Sequence, residues 1–411
     1  MLDLLAFVAL GMALGVLTGL IPGVHVNNMI PMLLALAAGS AFCSLSLAAA
    51  IVAMMITYMF IRYIPSTFLG APAPGTELSV LPAHRLLLEG KGYEAIRLTA
   101  FGSLGGLLLS AALILPMLVF IGPAYNLIKP QMHWLLLAVV VVMIVLERSK
   151  VRIAWGAAIF LISGLLGLLT LDTNLCGGDA ALMPLLSGLF GVSVLLPSLT
   201  GKSSLPEQRV DDKPLEVRPH LKPLFAGTAA GALTGVIPGI GPSQGTVLAQ
   251  LAVRSKGAKN FLVAVSGVDT AKALFSFVAL YAIGKGRSGA AVAVGQLVDV
   301  GLRELVFLVG VALFVGGIAA FLQLRLGRFA AKHIQRLPYR AICLVVLVVI
   351  VCMSVYYSGL IGLPILATAT AIGMLPPAVR VKRTHCMGVL MLPCILYFAG
   401  LKSGVLGAFG L

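Results

Sequence analysis

Charge is what this chain has least of. Asp, Glu, Lys and Arg together make up 10% of it, where about 25% is usual for a soluble domain. A water-soluble fold of 411 residues cannot cover its surface with so few. That excludes a soluble enzyme, a disordered chain and a peripheral membrane protein. Signatures of chemistry are missing too. No Walker motif, HExxH or Ser/His/Asp constellation occurs, so ATP-driven pumping and intramembrane proteolysis lack support. The six cysteines (Cys43, Cys176, Cys343, Cys352, Cys386, Cys394) are scattered without metal-ligand spacing, and read as small buried hydrophobes. No catalytic residue, bound metal or cofactor is expected.

What fills the chain instead is hydrophobic sequence, 60% of all residues, in long runs separated by short charged loops. This pattern predicts an all-α polytopic membrane protein. The net charge of +15 sits in loops and anchors topology in the bilayer; it does not point to nucleic acid. Apolar segments fall near 2–21, 26–40, 43–61, 98–121, 131–147, 153–171 and 181–199. A second set lies near 223–238, 242–253, 260–283, 303–323, 341–357, 361–378 and 387–407. Several are shorter than the ~20 residues a full crossing needs, and read as half-helices. Residues 2–21 read as the first span and not as a cleavable signal.

The polar stretch 201–222 divides the chain into membrane repeats over 1–200 and 223–411. Gly15-Val16-Leu17-Thr18-Gly19-Leu20-Ile21-Pro22-Gly23 matches Gly231-Ala232-Leu233-Thr234-Gly235-Val236-Ile237-Pro238-Gly239 at seven of nine positions. The match predicts an internal duplication. With about seven membrane segments per repeat, 23 of the 29 basic residues fall in cytoplasmic loops, Arg62 and the 201–222 connector among them. Equivalent loops alternate in charge: the basic Arg148–Arg152 hairpin corresponds to the uncharged Ser358–Leu363 turn. An odd number of spans with alternating loop charge predicts inverted-topology repeats, with both termini outside.

Each Pro-Gly interrupts an apolar segment, removing a backbone donor and permitting a reversal. In hydrocarbon such a break survives only where protein or a cavity satisfies the freed groups. His25, Asn27 and Asn28 follow the first break; Ser243, Gln244 and Thr246 follow the second. Amides and hydroxyls at the start of a half-helix suit an anionic group. Thr18, Gly23, Thr234 and Gly239 complete these two substrate-binding candidates. The competing account is a pair of kinked helices capped by small polar residues; finding the break twice favours a substrate site. The Pro65–Glu77 segment, with Pro74, Gly75 and Thr76, is too rich in Pro and Gly for a span and predicts a re-entrant hairpin. Asp269, Thr270 and Lys272 lie in an apolar segment, and intramembrane charges are functional by default. They are the ion-coupling candidates, with Lys272, one turn along, as a potential neutralising partner for Asp269.

The order of these motifs resembles the large membrane subunit of tripartite tricarboxylate transporters, the TctA-type permeases, and in particular shorter archaeal-like members. Thr18 to Gly23, Ala73-Pro74-Gly75-Thr76 followed by Leu87 to Gly92, Ser187 to Val192, Gly235 to Gly239, Gly267 to Ala271 and Arg383 to Pro393 carry the likeness. It implies secondary uptake of a small di- or tricarboxylate anion, driven by a Na+ or H+ gradient across the cytoplasmic membrane. It also implies a small membrane subunit and an extracytoplasmic binding protein as partners; a homodimer is compatible with it. A second resemblance, of Pro238-Gly239-Ile240-Gly241-Pro242-Ser243 to polyprenyl-phosphate translocases, keeps lipid-carrier translocation as the alternative.

Overall fold

The computed structural model describes residues 2–21, 26, 29–30, 33–34, 43–71, 77–147, 149–173, 178–200, 206–210, 214–236, 242–253, 257–334 and 339–408. Regular structure among them is helical, without strands. The first half contains α1 (Leu2–Leu20), α2 (Ser44–Ile61), α3 (Tyr63–Phe68), α4 (Val80–Leu88), α5 (Gly92–Ile128), α6 (Met132–Val145), α7 (Lys150–Leu171), α8 (Gly178–Leu186) and α9 (Ser193–Thr200). The second contains α10 (Leu221–Val236), α11 (Pro242–Val253), α12 (Ala258–Ile283), α13 (Gly289–Leu297), α14 (Leu302–His333), α15 (Tyr339–Ser358), α16 (Gly362–Ala378), α17 (Gly388–Phe398) and α18 (Lys402–Ala408).

Eight helical stretches among the described residues are long and apolar enough to cross a membrane. At 1.5 Å per residue, about 20 residues match a hydrocarbon core of roughly 30 Å. The chain is an all-α polytopic membrane protein, as its scarcity of charge predicts. Helices α6, α11 and α17, with 14, 12 and 11 residues, are too short to cross alone.

Two compact units emerge, and neither coincides with a sequence half. One comprises residues 1–69, 81–125 and 205–337; the other comprises 70–80, 126–204 and 338–411. In the first unit α2 and α12 form the centre. An apolar window of 18 residues is 83% buried within Ser44–Phe68 and 89% buried within Ala258–Ile283, against 28% within Gly92–Pro123. Helix α5 instead exposes Leu115, Val119, Phe120 and Leu127, the apolar exterior a bilayer accepts.

Glycine sets how closely the central helices approach. Gly11 and Gly15 of α1 face the α2 backbone at Ala50 and Met54, and Gly19 faces the Ile61 side chain and the Arg62 N–H that follows α2. Gly227, Gly231 and Gly235 of α10 face the α12 backbone at Ala264, Val268 and Lys272. Any β-carbon at these six positions would collide, so the stripes act as the small-residue interfaces of membrane helices. The same spacing and packing thus occur once in each half. Contacts are also exchanged between halves: Gly106 of α5 lies against Gly267 and Thr270 of α12, while α14 packs on α2.

The second unit repeats this exchange. Gly167 of α7 faces the Val389 carbonyl of α17, and Gly373 of α16 faces the Leu189 carbonyl. Leu189 lies in a π-helical turn, Ser187–Val192, the local widening that lets α8 continue into α9.

Candidate functional site

The helices that carry the repeated Leu-Thr-Gly motif end in the first unit. The Thr18 hydroxyl on α1 donates to the Leu14 carbonyl at 2.8 Å. Thr234 on α10 donates to Gly231 at 3.1 Å, and Thr246 on α11 to Pro242 at 2.8 Å. All three are buried. Each spends its proton inside its own helix and keeps an oxygen lone pair as an acceptor. Gly245 brings α11 against Thr234 and Val268, so α10, α11 and α12 converge one residue before Asp269.

Asp269 is buried and ion-paired with Arg62, 207 residues away in sequence. Both side chains are almost fully enclosed, with 3% of Arg62 and 1% of Asp269 exposed. Arg62 stands between α2 and α3, with its guanidinium 5.0 Å from the centre of the Tyr58 ring, a cation–π distance. The sequence reading placed Arg62 in a cytoplasmic loop, and the structure corrects it. Helix α2 passes through Arg62 almost unbroken into α3, making a 25-residue apolar stretch with the arginine inside. A loop charge needs only water, whereas a charge here needs a counter-ion, and Asp269 supplies it. The second carboxylate oxygen of Asp269, Oδ1, is buried without a hydrogen-bond partner among the described residues. Thr270 beside it donates to the Ser103 carbonyl of α5 at 2.9 Å.

Arg62 and Asp269 therefore link the helix pairs that carry the two motifs. The Arg62 backbone packs on Gly19 of α1, and the backbone of Lys272, which follows Asp269 on α12, packs on Gly235 of α10. Thr18, Thr234, Thr246, Asp269, Thr270 and Lys272 all belong to this unit. Gly23, His25, Asn27, Asn28, Pro74, Gly75, Thr76 and Gly239 lie outside the described residues, as do the side chains of Ser243 and Gln244. Of the segment read as a re-entrant hairpin, Pro65 to Phe68 instead finish α3. Proline is tolerated there because the first turn of a helix needs no N–H from it.

Two further polar arrangements escaped the sequence. The connector folds onto the first unit: Gln208 Oε1 accepts from the Gly92 N–H at 2.9 Å, and its Nε2 donates to the Leu87 carbonyl at 3.0 Å. A cavity of about 370 Å³ opens beside it, where Lys91, Arg97, Arg209 and Lys259 meet Glu94 and Glu216. In the second unit buried Glu147, between α6 and α7, lies 3.0 Å from His385 Nε2 and accepts the Lys382 N–H at 3.1 Å. Burial pushes the Glu147 carboxyl up, but the His385 and Lys382 hydrogen bonds outweigh it and hold the pKa below the ordinary value. No group of three or more His, Cys, Asp or Glu with metal-binding geometry occurs among the described residues.

Similar proteins identify the family. Residues 5–388 match the model of the family described as "Tripartite tricarboxylate transporter TctA family". An uncharacterized protein of Methanocaldococcus jannaschii, MJ1079, is 29% identical over 407 residues, covering 97% of this chain and 99% of the relative. No solved structure matches. The match runs through both motif-bearing helix pairs, the Arg62–Asp269 pair and the connector, and the chain belongs to the tripartite tricarboxylate transporter TctA family.

Proposed function

We propose that the chain is a secondary active transporter that carries a small carboxylate anion of the di- or tricarboxylate class across the cytoplasmic membrane. It works by alternating access and is coupled to a Na+ or H+ gradient. The observation that carries this reading is the family match over residues 5–388, which makes a transport role the coarse conclusion. The repeated glycine-stripe helix pairs and the reciprocal contacts between halves support two repeats related by a two-fold axis. Such repeats place a substrate site where their broken helices meet. The loop charges support inversion of the second repeat. On this reading Asn27, Asn28, Ser243 and Gln244 offer donors to the anion, and Asp269, Thr270 and Lys272 act in coupling. A small membrane subunit and an extracytoplasmic binding protein complete the system, the latter delivering substrate.

The test is uptake of radiolabelled citrate and succinate into proteoliposomes under an imposed Na+ or proton gradient, with and without the binding protein. Gradient-dependent uptake that is saturable is expected. Absence of carboxylate uptake, together with flipping of a fluorescent polyprenyl phosphate by the same preparation, would replace this reading with lipid-carrier translocation.

A further inference from the structure

We propose that Arg62 is the residue that receives the substrate carboxylate, and that Asp269 competes with the substrate for it. The inference rests on the carboxylate-transport reading and supplies the step that links anion binding to cation binding.

A guanidinium is always charged and matches a carboxylate geometrically. Arg62 is almost fully enclosed and already holds one carboxylate, that of Asp269. A transported carboxylate presents the same chemical group to the same partner. Asp269 is also a poorly satisfied occupant among the described residues, none of which hydrogen-bonds its buried Oδ1. A buried ion pair that serves only stability needs its remaining lone pairs satisfied, and no described residue satisfies this one. Two buried hydroxyls on the same helical stretch as Arg62, those of Thr57 and Thr67, also lack partners among the described residues. The location fits as well. Arg62 backs onto α1 at Gly19, just before the first Pro-Gly, and Asp269 lies beside the α10–α11 convergence that flanks the second.

Charge balance then dictates coupling. The Arg62–Asp269 pair is neutral. When a substrate carboxylate takes Arg62, Asp269 is released with a full negative charge, and unless Lys272 one turn along on α12 turns to meet it, a cation must. One Na+ bound by Asp269, or one proton added to its carboxylate, restores neutrality. Each carboxylate seated on Arg62 therefore brings one cation with it. Return of Asp269 to Arg62 expels both. A Na+ bound by Asp269 would need further oxygen ligands, and Thr234 and Thr246, on the helices that converge at Val268, keep hydroxyl lone pairs because their protons are spent within their own helices.

The experiment is equilibrium binding of radiolabelled citrate and succinate to the purified full-length protein in lipid nanodiscs, at high and low Na+ and at two pH values. Wild type is compared with Asp269→Asn, Arg62→Gln and Arg62→Gln/Asp269→Asn, each checked for a monodisperse elution profile. Wild type should need Na+ or low pH. Asp269→Asn should bind about tenfold tighter, because its competitor is gone, and should lose the cation requirement. Arg62→Gln should weaken binding by about 100-fold or more. The double variant removes the pair without leaving a lone charge, so it should stay folded and fail to bind. If Asp269→Asn retains the wild-type cation dependence, or the double variant binds as wild type does, the pair is structural and the proposal is overturned. If wild type binds neither anion under any condition, the carboxylate reading itself falls, and this inference with it.

Discussion

His385 Nε2 lies 3.0 Å from Glu147 Oε1, with both side chains buried, across 238 residues of sequence. This pair ties the α6–α7 hairpin to the turn that opens α17, and Gly156 of α7 leaves room for the imidazole. Its acid dependence follows from linkage. Glu147 has a pKa lowered in the folded state. Its stabilisation is therefore present above the ordinary glutamate value, near about 4.3, and is lost as pH falls through the lowered folded value. Thermal unfolding in detergent should show wild type losing stability below about pH 4.3, with Glu147→Gln losing less over the same range. At pH 7 the same substitution should cost roughly 1–3 kcal/mol. Equal acid sensitivity in the two proteins would show that Glu147 contributes nothing to the fold.

The glycine stripes predict a second set of outcomes. Gly15→Val and Gly231→Val force a branched side chain against the backbones at Met54 and Val268. Each should cost about 1–3 kcal/mol or more, read as a lower unfolding temperature. Gly317→Ala on α14, where a β-carbon meets nothing within 4 Å, should leave stability unchanged. A loss at Gly317 as large as at Gly15 would show that close approach does not set the effect, since helix propensity favours alanine over glycine.

Gln208 joins the connector to the first unit through buried bonds at Gly92 and Leu87. Gln208→Ala removes the partner of the buried Gly92 N–H, while the Leu87 carbonyl keeps the Gly90 N–H at 3.0 Å, and should cost about 1–3 kcal/mol. Limited proteolysis should cut the 201–222 connector faster in the variant. Unchanged cleavage kinetics would mean that the segment is held by other contacts.

Donors after the Pro-Gly breaks should matter to transport and not to folding. Asn28→Ala and Gln244→Ala should each reduce initial uptake about tenfold at normal expression. Wild-type uptake in both would assign the clusters to helix packing.

The sequence discloses the fold class because a chain with so few charges has only the bilayer as a solvent for its surface. It also discloses the repeated Leu-Thr-Gly motif, whose threonines and glycines sit at equivalent packing positions on α1 and α10. The four-residue spacing of Gly11, Gly15 and Gly19, matched by Gly227, Gly231 and Gly235, was a readable sign of close helix approach as well. Arg62 was not legible, because loop and interior arginines look alike until the partner is known. Asp269 is 207 residues away, while Lys272, one turn along, offers the local partner. The same holds for Glu147 and His385, and for the reciprocal contacts that make each compact unit a mixture of both halves. Periodicity reports on neighbours within one helix and carries no information about such pairings.

The central claim is that carboxylate movement is bound to cation movement through Asp269. Its most direct measurement compares net accumulation with counterflow in proteoliposomes, using wild type and Asp269→Asn. Wild type should accumulate labelled citrate or succinate against its gradient when Na+ or protons are supplied, and should exchange it with internal unlabelled substrate. Asp269→Asn should exchange but accumulate nothing. Gradient-driven accumulation by Asp269→Asn at the wild-type level would contradict the account.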